Sequence, residues 1–143
     1  MANGGKVTMY TDHVLLKVAA VSDKALEAVA LQIEAQTKVN IQRNGQIDTG
    51  FMLNSTYTVT SQGSSFGNTN PSGSYANRKG ESVPRKIVPQ QTLPANAKAA
   101  CVVGAEYAIY QELKNPFLYP AAVDVASQVK GTVDKVFKAA LQE

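Results

Sequence analysis

The hydrophobic period of this chain changes within ten residues, Gln46-Ile47-Asp48-Thr49-Gly50-Phe51-Met52-Leu53-Asn54-Ser55, and few folds accommodate such a joint. Before it, Leu26, Val29, Ala30, Ile33, Thr37 and Ile41 recur at spacings of three and four, the stripe of an amphipathic helix. After it, Leu53, Ser55, Tyr57 and Val59 alternate with Asn54, Thr56, Thr58 and Thr60, the two faces of a strand. Asp48 and Thr49 carry short oxygen-bearing side chains that bond back to nearby amides, and Gly50 admits a positive φ. A helix therefore hands over to a sheet at this point.

Ser22 suits an N-cap and Asp23 the first turn, so the helix is expected from Ser22 to about Arg43, with Asn44-Gly45 as its stop. Lys24, Glu27, Gln32, Glu34 and Lys38 form its solvated side, Glu34 and Lys38 being an i, i+4 pair. Upstream, Asp12 is placed to cap a shorter helix through Val14, Leu15, Val18 and Val21, with a strand as the alternative. Val7 to Tyr10 has the pattern of a short edge strand.

Downstream, residues 61–82 are rich in Ser, Gly and Asn and hold too little apolar surface to offset the entropy of ordering, which predicts a long loop. Residues 83–94 set Val83, Ile87 and Val88 among Pro84, Pro89 and Pro94, suited to an edge strand or an extended arm. Ala99 to Gly104 is a continuous apolar run expected in the middle of a sheet, with Cys101 as a small buried hydrophobe. Tyr107, Tyr110, Gln111 and Glu112 follow on a short helical turn, the tyrosines either closing the core or presenting a subunit contact. Phe117-Leu118, between Pro116 and Pro120, reads as a core plug. Beyond it Val123, Val125, Ala126, Val129, Val133, Val136, Phe137 and Leu141 mark one amphipathic helix to the end, weakened at Gly131.

These elements predict a single α+β domain over residues 1–143: a small, mainly antiparallel sheet, the long helix and the C-terminal helix packed on one face, and a flexible inserted arm at about 61–98. The formal charge of +3 is uneven. Arg78, Lys79, Arg85, Lys86 and Lys98 against Glu81 give residues 61–98 a charge of +4 and leave −1 for the rest. That segment is a candidate for contact with DNA phosphates or with a partner protein, through Arg78, Lys79, Arg85 and Lys86.

Several function classes are set aside. A lone Cys101 and a lone His13 predict neither a disulfide nor a metal site, and they lack the third group that a nucleophile pair needs. Asp48-Thr49-Gly50 would serve an aspartic protease only beside a second such loop in an all-β fold. The sequence has neither a G-x-x-x-x-G-K-[ST] cradle nor a strand-to-helix G-x-G-x-x-G. No catalytic residue and no cofactor are expected. The chain shows no charged-then-apolar leader and no apolar run of about 18 residues, so neither classical export nor membrane insertion is expected.

Three segments carry a resemblance. Asp48-Thr49-Gly50 with Leu53 and Ser55 resembles the D-T-G-x-L-x-x-S core of the neck or tail completion family of long-tailed bacteriophages, Leu53 standing one position after the leucine of that core. Val103-Gly104-Ala105-Glu106-Tyr107-Ala108-Ile109-Tyr110-Gln111-Glu112 is similar to its V-G-x-x-x-Y-A-x-x-x-E segment with one residue fewer between Gly104 and Tyr107, and Pro116-Phe117-Leu118-Tyr119-Pro120-Ala121 to its P-F-L-x-P-A segment. All three stand in family order. The chain departs from the family in passing from Glu112 through Leu113-Lys114-Asn115 directly to Pro116, and in the insertion at 61–98.

The resemblance implies a structural virion protein. It would form a ring of its own copies, commonly six, at the head-tail junction, touching neck or connector and tail tube proteins around a channel for the genome. It would assemble in the host cytoplasm. A tail terminator ring is the near alternative, and a non-catalytic DNA-binding module using the basic 78–86 segment is the alternative from another class.

Overall fold

The computed structural model describes residues 11–142, with side chains from residue 20 onward. Its longest element is α1 (Thr11–Arg43), an unbroken helix of 33 residues. Asp12 lies within it, and Ser22 and Asp23 do not interrupt it, contrary to the expected start at Ser22. Neither residue forces a break, since each carries only a modest helix penalty, while Val21 and Ala25 on either side are buried. The expected strand at Val7 to Tyr10 lies outside the described residues.

The end of α1 matches expectation. Gly45 takes φ +67°, its N–H donates to Gln42 O, and Gln46 N–H donates to Ile41 O, which together make a Schellman closure. The buried face of the helix keeps Ala30, Thr37 and Ile41 of the predicted stripe, but Leu26 is exposed and Asn40, outside the stripe, is buried. A count of apolar positions does not register a polar residue that finds a partner inside.

After the joint, α2 (Phe51–Asn54) forms one helical turn before the strand begins. Leu53 and Asn54 were expected on the strand. They are held helical because Asn54 N–H and Ser55 N–H donate to Gly50 O and Phe51 O. The sheet is antiparallel, with β1 (Thr56–Thr60) between β2 (Gly63–Ser64) and β5 (Ala99–Val103). β5 is thus an outer strand and not the middle one. Its apolar run reflects cover on its faces, which says nothing of how many strands flank it.

α1 packs across β1 and β5 through polar contacts as well as apolar ones. Thr58 Oγ1 donates to Glu34 Oε2 at 2.6 Å, and the same carboxylate accepts from Lys38 Nζ at 2.7 Å. Glu34 is 14% exposed and faces the sheet, which corrects its assignment to the solvated side. Next to Thr58 on β1, Cys101 is half-buried, and desolvation, with Glu34 nearby, pushes its thiol pKa up to about 12. The Thr37 hydroxyl, which opposes that rise, is itself buried without a hydrogen-bond partner.

Residues 61–98 do not contain the long loop expected over 61–82. They hold β2, a 3-10 turn (Ser65–Asn68), and a hairpin of β3 (Gly73–Ala76) with β4 (Ser82–Arg85). Asn77 Oδ1 accepts the amides of Lys79 and Glu81, and Gly80 takes φ +79°, so the turn is built on an Asx motif. The segment covers the sheet face opposite α1. Phe66 lies edge-on to Tyr57 at 5.1 Å, Gln91 N–H donates to the Tyr57 hydroxyl, and Tyr75 packs on Phe51 at 5.1 Å. Tyr57 and Phe51, both buried, owe part of that burial to the inserted segment. Pro84 sits on a two-stranded edge, as its missing N–H requires.

The C-terminal part contains α3 (Ala108–Lys114), α4 (Leu118–Ala126) and α5 (Val129–Leu141). The single final helix expected from the sequence is broken at Ser127-Gln128, which lets both halves lie along α1. Gln32 Oε1 accepts from the Thr132 hydroxyl across that contact. Among the described residues no helix is long and apolar enough to cross a membrane.

Candidate functional site

The motif residues, which span 73 positions from Asp48 to Pro120, meet at the C-terminal end of α1. Thr49 Oγ1 accepts Phe51 N–H, and Gly50, at φ +73°, starts the turn that sends Phe51 and Met52 into the core. Ser55 and Thr56 hydroxyls both donate to Met52 O, closing that turn from below. Leu53 packs against the same core.

Gly104 joins the second motif to the first. Its N–H donates to Ser55 O at 2.8 Å, and a Cβ there would lie 3.0 Å from both Ser55 O and Ile87 Cγ1. A side chain at this position would press on both neighbours, one of them a backbone atom. Beyond it, Ala105 and Ala108 are buried with Phe51 and Ile41.

Glu112 joins the second motif to the third. Its carboxylate accepts the amides of Phe117, Leu118 and Tyr119 at 2.8–2.9 Å, capping the start of α4, where Phe117 offers no side-chain cap of its own. Burial alone would raise the pKa of Glu112, but the three amides outweigh it and hold the carboxyl below its ordinary value. Phe117 is the expected plug, 1% exposed in the core, which contributes about 1.5–3 kcal/mol. Pro120 stands in the first turn of α4, where its missing N–H is harmless.

Sequence reading missed three amide side chains that lock this junction. Asn40 Nδ2 donates to Phe117 O at 2.9 Å, Asn44 Nδ2 to Pro116 O, and Gln46 Nε2 to Asn115 O. The signal was the placement of three amides on and just past the last turns of α1.

The basic residues divide. Arg78 N–H donates to Asp48 Oδ1 and its guanidinium to Gly45 O, while Arg85 stands 3.4 Å from Asp48 Oδ2 and over the Tyr107 ring at 4.8 Å. Both arginines therefore tie the hairpin to the Asp48 turn, with Gln46 and Gln111 along the same open cleft. Lys79 and Lys86 are exposed and carry no salt bridge among the described residues. The tyrosines divide too: Tyr107 is half-buried beneath Arg85, and Tyr110 is 71% exposed.

Exposed apolar side chains gather nearby. Ile109, Tyr110 and Leu113 stand out from α3 at 60%, 71% and 77% exposure, and Tyr119 and Val123 from α4. Among the described residues no group of His, Cys, Asp and Glu is arranged to hold a metal ion. Comparison of the chain with protein-family models, with curated proteins and with solved structures gives no match.

Proposed function

We propose that this protein is a structural subunit of the head-tail junction of a long-tailed bacteriophage, a neck or tail completion protein that works as a ring of its own copies. What carries the reading is the coincidence of motif and structure. Each segment that resembles the family supplies one half of a contact whose other half lies in another: Gly104 against Ser55, and Glu112 on the amides of 117–119.

The surface supports self-assembly. Ile109, Tyr110, Leu113 and Tyr119 present apolar and aromatic side chains of the kind enriched in interface cores. The ring would pass genomic DNA through its centre and dock on neck or connector proteins and on the tail tube. Lys79 and Lys86 would give weak, sequence-independent contact with that DNA.

Electron microscopy of the purified protein, with antibody labelling of phage particles, tests the proposal. Closed rings and label at the neck or the top of the tail are expected. A protein that stays monomeric and is absent from particles would remove it.

A further inference from the structure

Arg78 and Arg85 tie the hairpin to the Asp48 turn, but those ties use little of what two guanidiniums offer. The Arg78 side chain donates to Gly45 O at 3.0 Å. Arg85 Nη2 stands 3.4 Å from Asp48 Oδ2, longer than the roughly 2.7–2.9 Å of a close charge-assisted bond. Among the described residues these are the hydrogen bonds that the two side chains make. Arg85 Nε is buried without an acceptor, so Asp48 does not meet the guanidinium fork by two bonds, as a carboxylate can.

Both arginines line an open cleft of about 440 Å3, with Tyr107 and Gln111 also in its wall. The Tyr107 ring lies 4.8 Å from the centre of the Arg85 guanidinium, so it takes the face of that group and leaves its edge for hydrogen bonds. Arg78 is exposed, and a fifth of the Arg85 side chain is open to solvent. Gln111 Oε1 accepts from Gln46 Nε2, while the side-chain amide N–H groups of Gln111 have no partner among the described residues. Donors in this wall therefore outnumber acceptors.

The charge is also unbalanced. Two arginines against Asp48 leave one positive charge in excess, and Glu106, the other acid close to Tyr107, is turned to the Lys86 amide. A guanidinium keeps its proton in proteins, so the excess does not titrate away.

We propose that the cleft between Arg78 and Arg85 binds one carboxylate, the side chain of an aspartate or glutamate on a partner protein. Asp48 shows that the place accepts this group, since its two oxygens already meet the Arg78 amide and Arg85. A single negative charge cancels the excess. A nucleic-acid strand brings a close row of phosphates instead of one, and the next would face Asp48. The walls are polar and open, too shallow to enclose a small acid, whereas an acidic side chain has the rest of its contacts made by the surface that carries it. The inference concerns the cleft of one copy and stands apart from the ring: a chain that never assembles would still show it.

NMR titration of the 15N-labelled full chain with a capped Ala-Glu-Ala peptide tests it. Millimolar binding is expected, with amide shifts confined to residues 45–48, 78, 85, 107 and 111, and no shifts with Ala-Gln-Ala. Two near-isosteric variants should move the affinity in opposite directions. Asp48→Asn keeps an oxygen for the Arg78 amide and removes the competing charge, whereas Gln111→Glu keeps an oxygen for Gln46 and adds one, so about tenfold tighter and about tenfold weaker binding are expected.

Circular dichroism establishes that each variant is folded, and the unaltered chain carries the test alone if one is not. Shifts that are absent or lie outside the cleft would overturn the proposal. So would inorganic phosphate binding there as tightly as the peptide, or a folded Asp48→Asn that gains nothing.

Discussion

The carboxylate of Glu112 accepts the backbone amide of Phe117 at 2.8 Å, and through that bond the short helix α3 fixes where α4 begins. The same carboxylate takes the next two amides as well. Glu112→Ala would leave three helix-terminal donors without their partner and is expected to cost about 2 kcal/mol, lowering Tm by roughly 4–10 °C.

The stabilisation by Glu112 also depends on pH. Its folded pKa lies below the ordinary 4.5, so its contribution is complete above that value and fades as pH falls through the lower folded value. Denaturant titrations of the unaltered chain and Glu112→Gln are expected to differ most near neutrality and to converge in acid below about 4.5.

Two glycines should respond in opposite directions. Gly104→Ala places a Cβ 3.0 Å from Ser55 O, a backbone atom that cannot swing aside, and is expected to cost about 1–3 kcal/mol. Gly131→Ala on α5 meets nothing within 4 Å and is expected to stabilise by up to about 1 kcal/mol. Urea midpoints of the two variants, measured side by side, check both signs.

The inserted segment is expected to matter for folding. Sequence composition suggests that residues 64–80 are dispensable to the monomer, yet Phe66 covers Tyr57 and Tyr75 covers Phe51. Deleting 64–80 should therefore lower Tm markedly or prevent folding, and Tyr75→Ala alone should cost about 1–3 kcal/mol. A deletion variant that melts like the full chain would show that this cover contributes nothing.

Cys101 should be inert in the native protein. With its pKa near 12, almost no thiolate exists at pH 8, and the thiol is half-buried against α1. Alkylation by iodoacetamide is expected to be slow in buffer and to become fast on adding denaturant.

How much of this could be read from residues follows from what each signal encodes. Asn44-Gly45 was legible as a stop because the Schellman closure depends on a positive φ that the residue type announces. The start of α1 was not, since Ser22 and Asp23 suit a cap and an exposed helix turn almost equally. The β3–β4 hairpin was hidden by composition, although Asn77 and Gly80 flank its turn and Tyr75 and Val83 pair across it. Those four residues were the available signal. At the junction Phe117 was legible by size and by its flanking prolines, whereas its lock to Asn40 spans 77 positions and leaves no local pattern. The outer position of β5 was illegible for a related reason: apolar residues report what covers a strand, not what pairs with it.

As proposed above, the chain acts as a repeated unit around an axis. The most direct measurement is the molar mass of the purified full-length protein by light scattering across a wide concentration range. A closed assembly of constant mass is predicted, about 91 kDa if six copies of the 15.2 kDa chain take part. A mass that stays at that of one chain up to the highest concentration would contradict it.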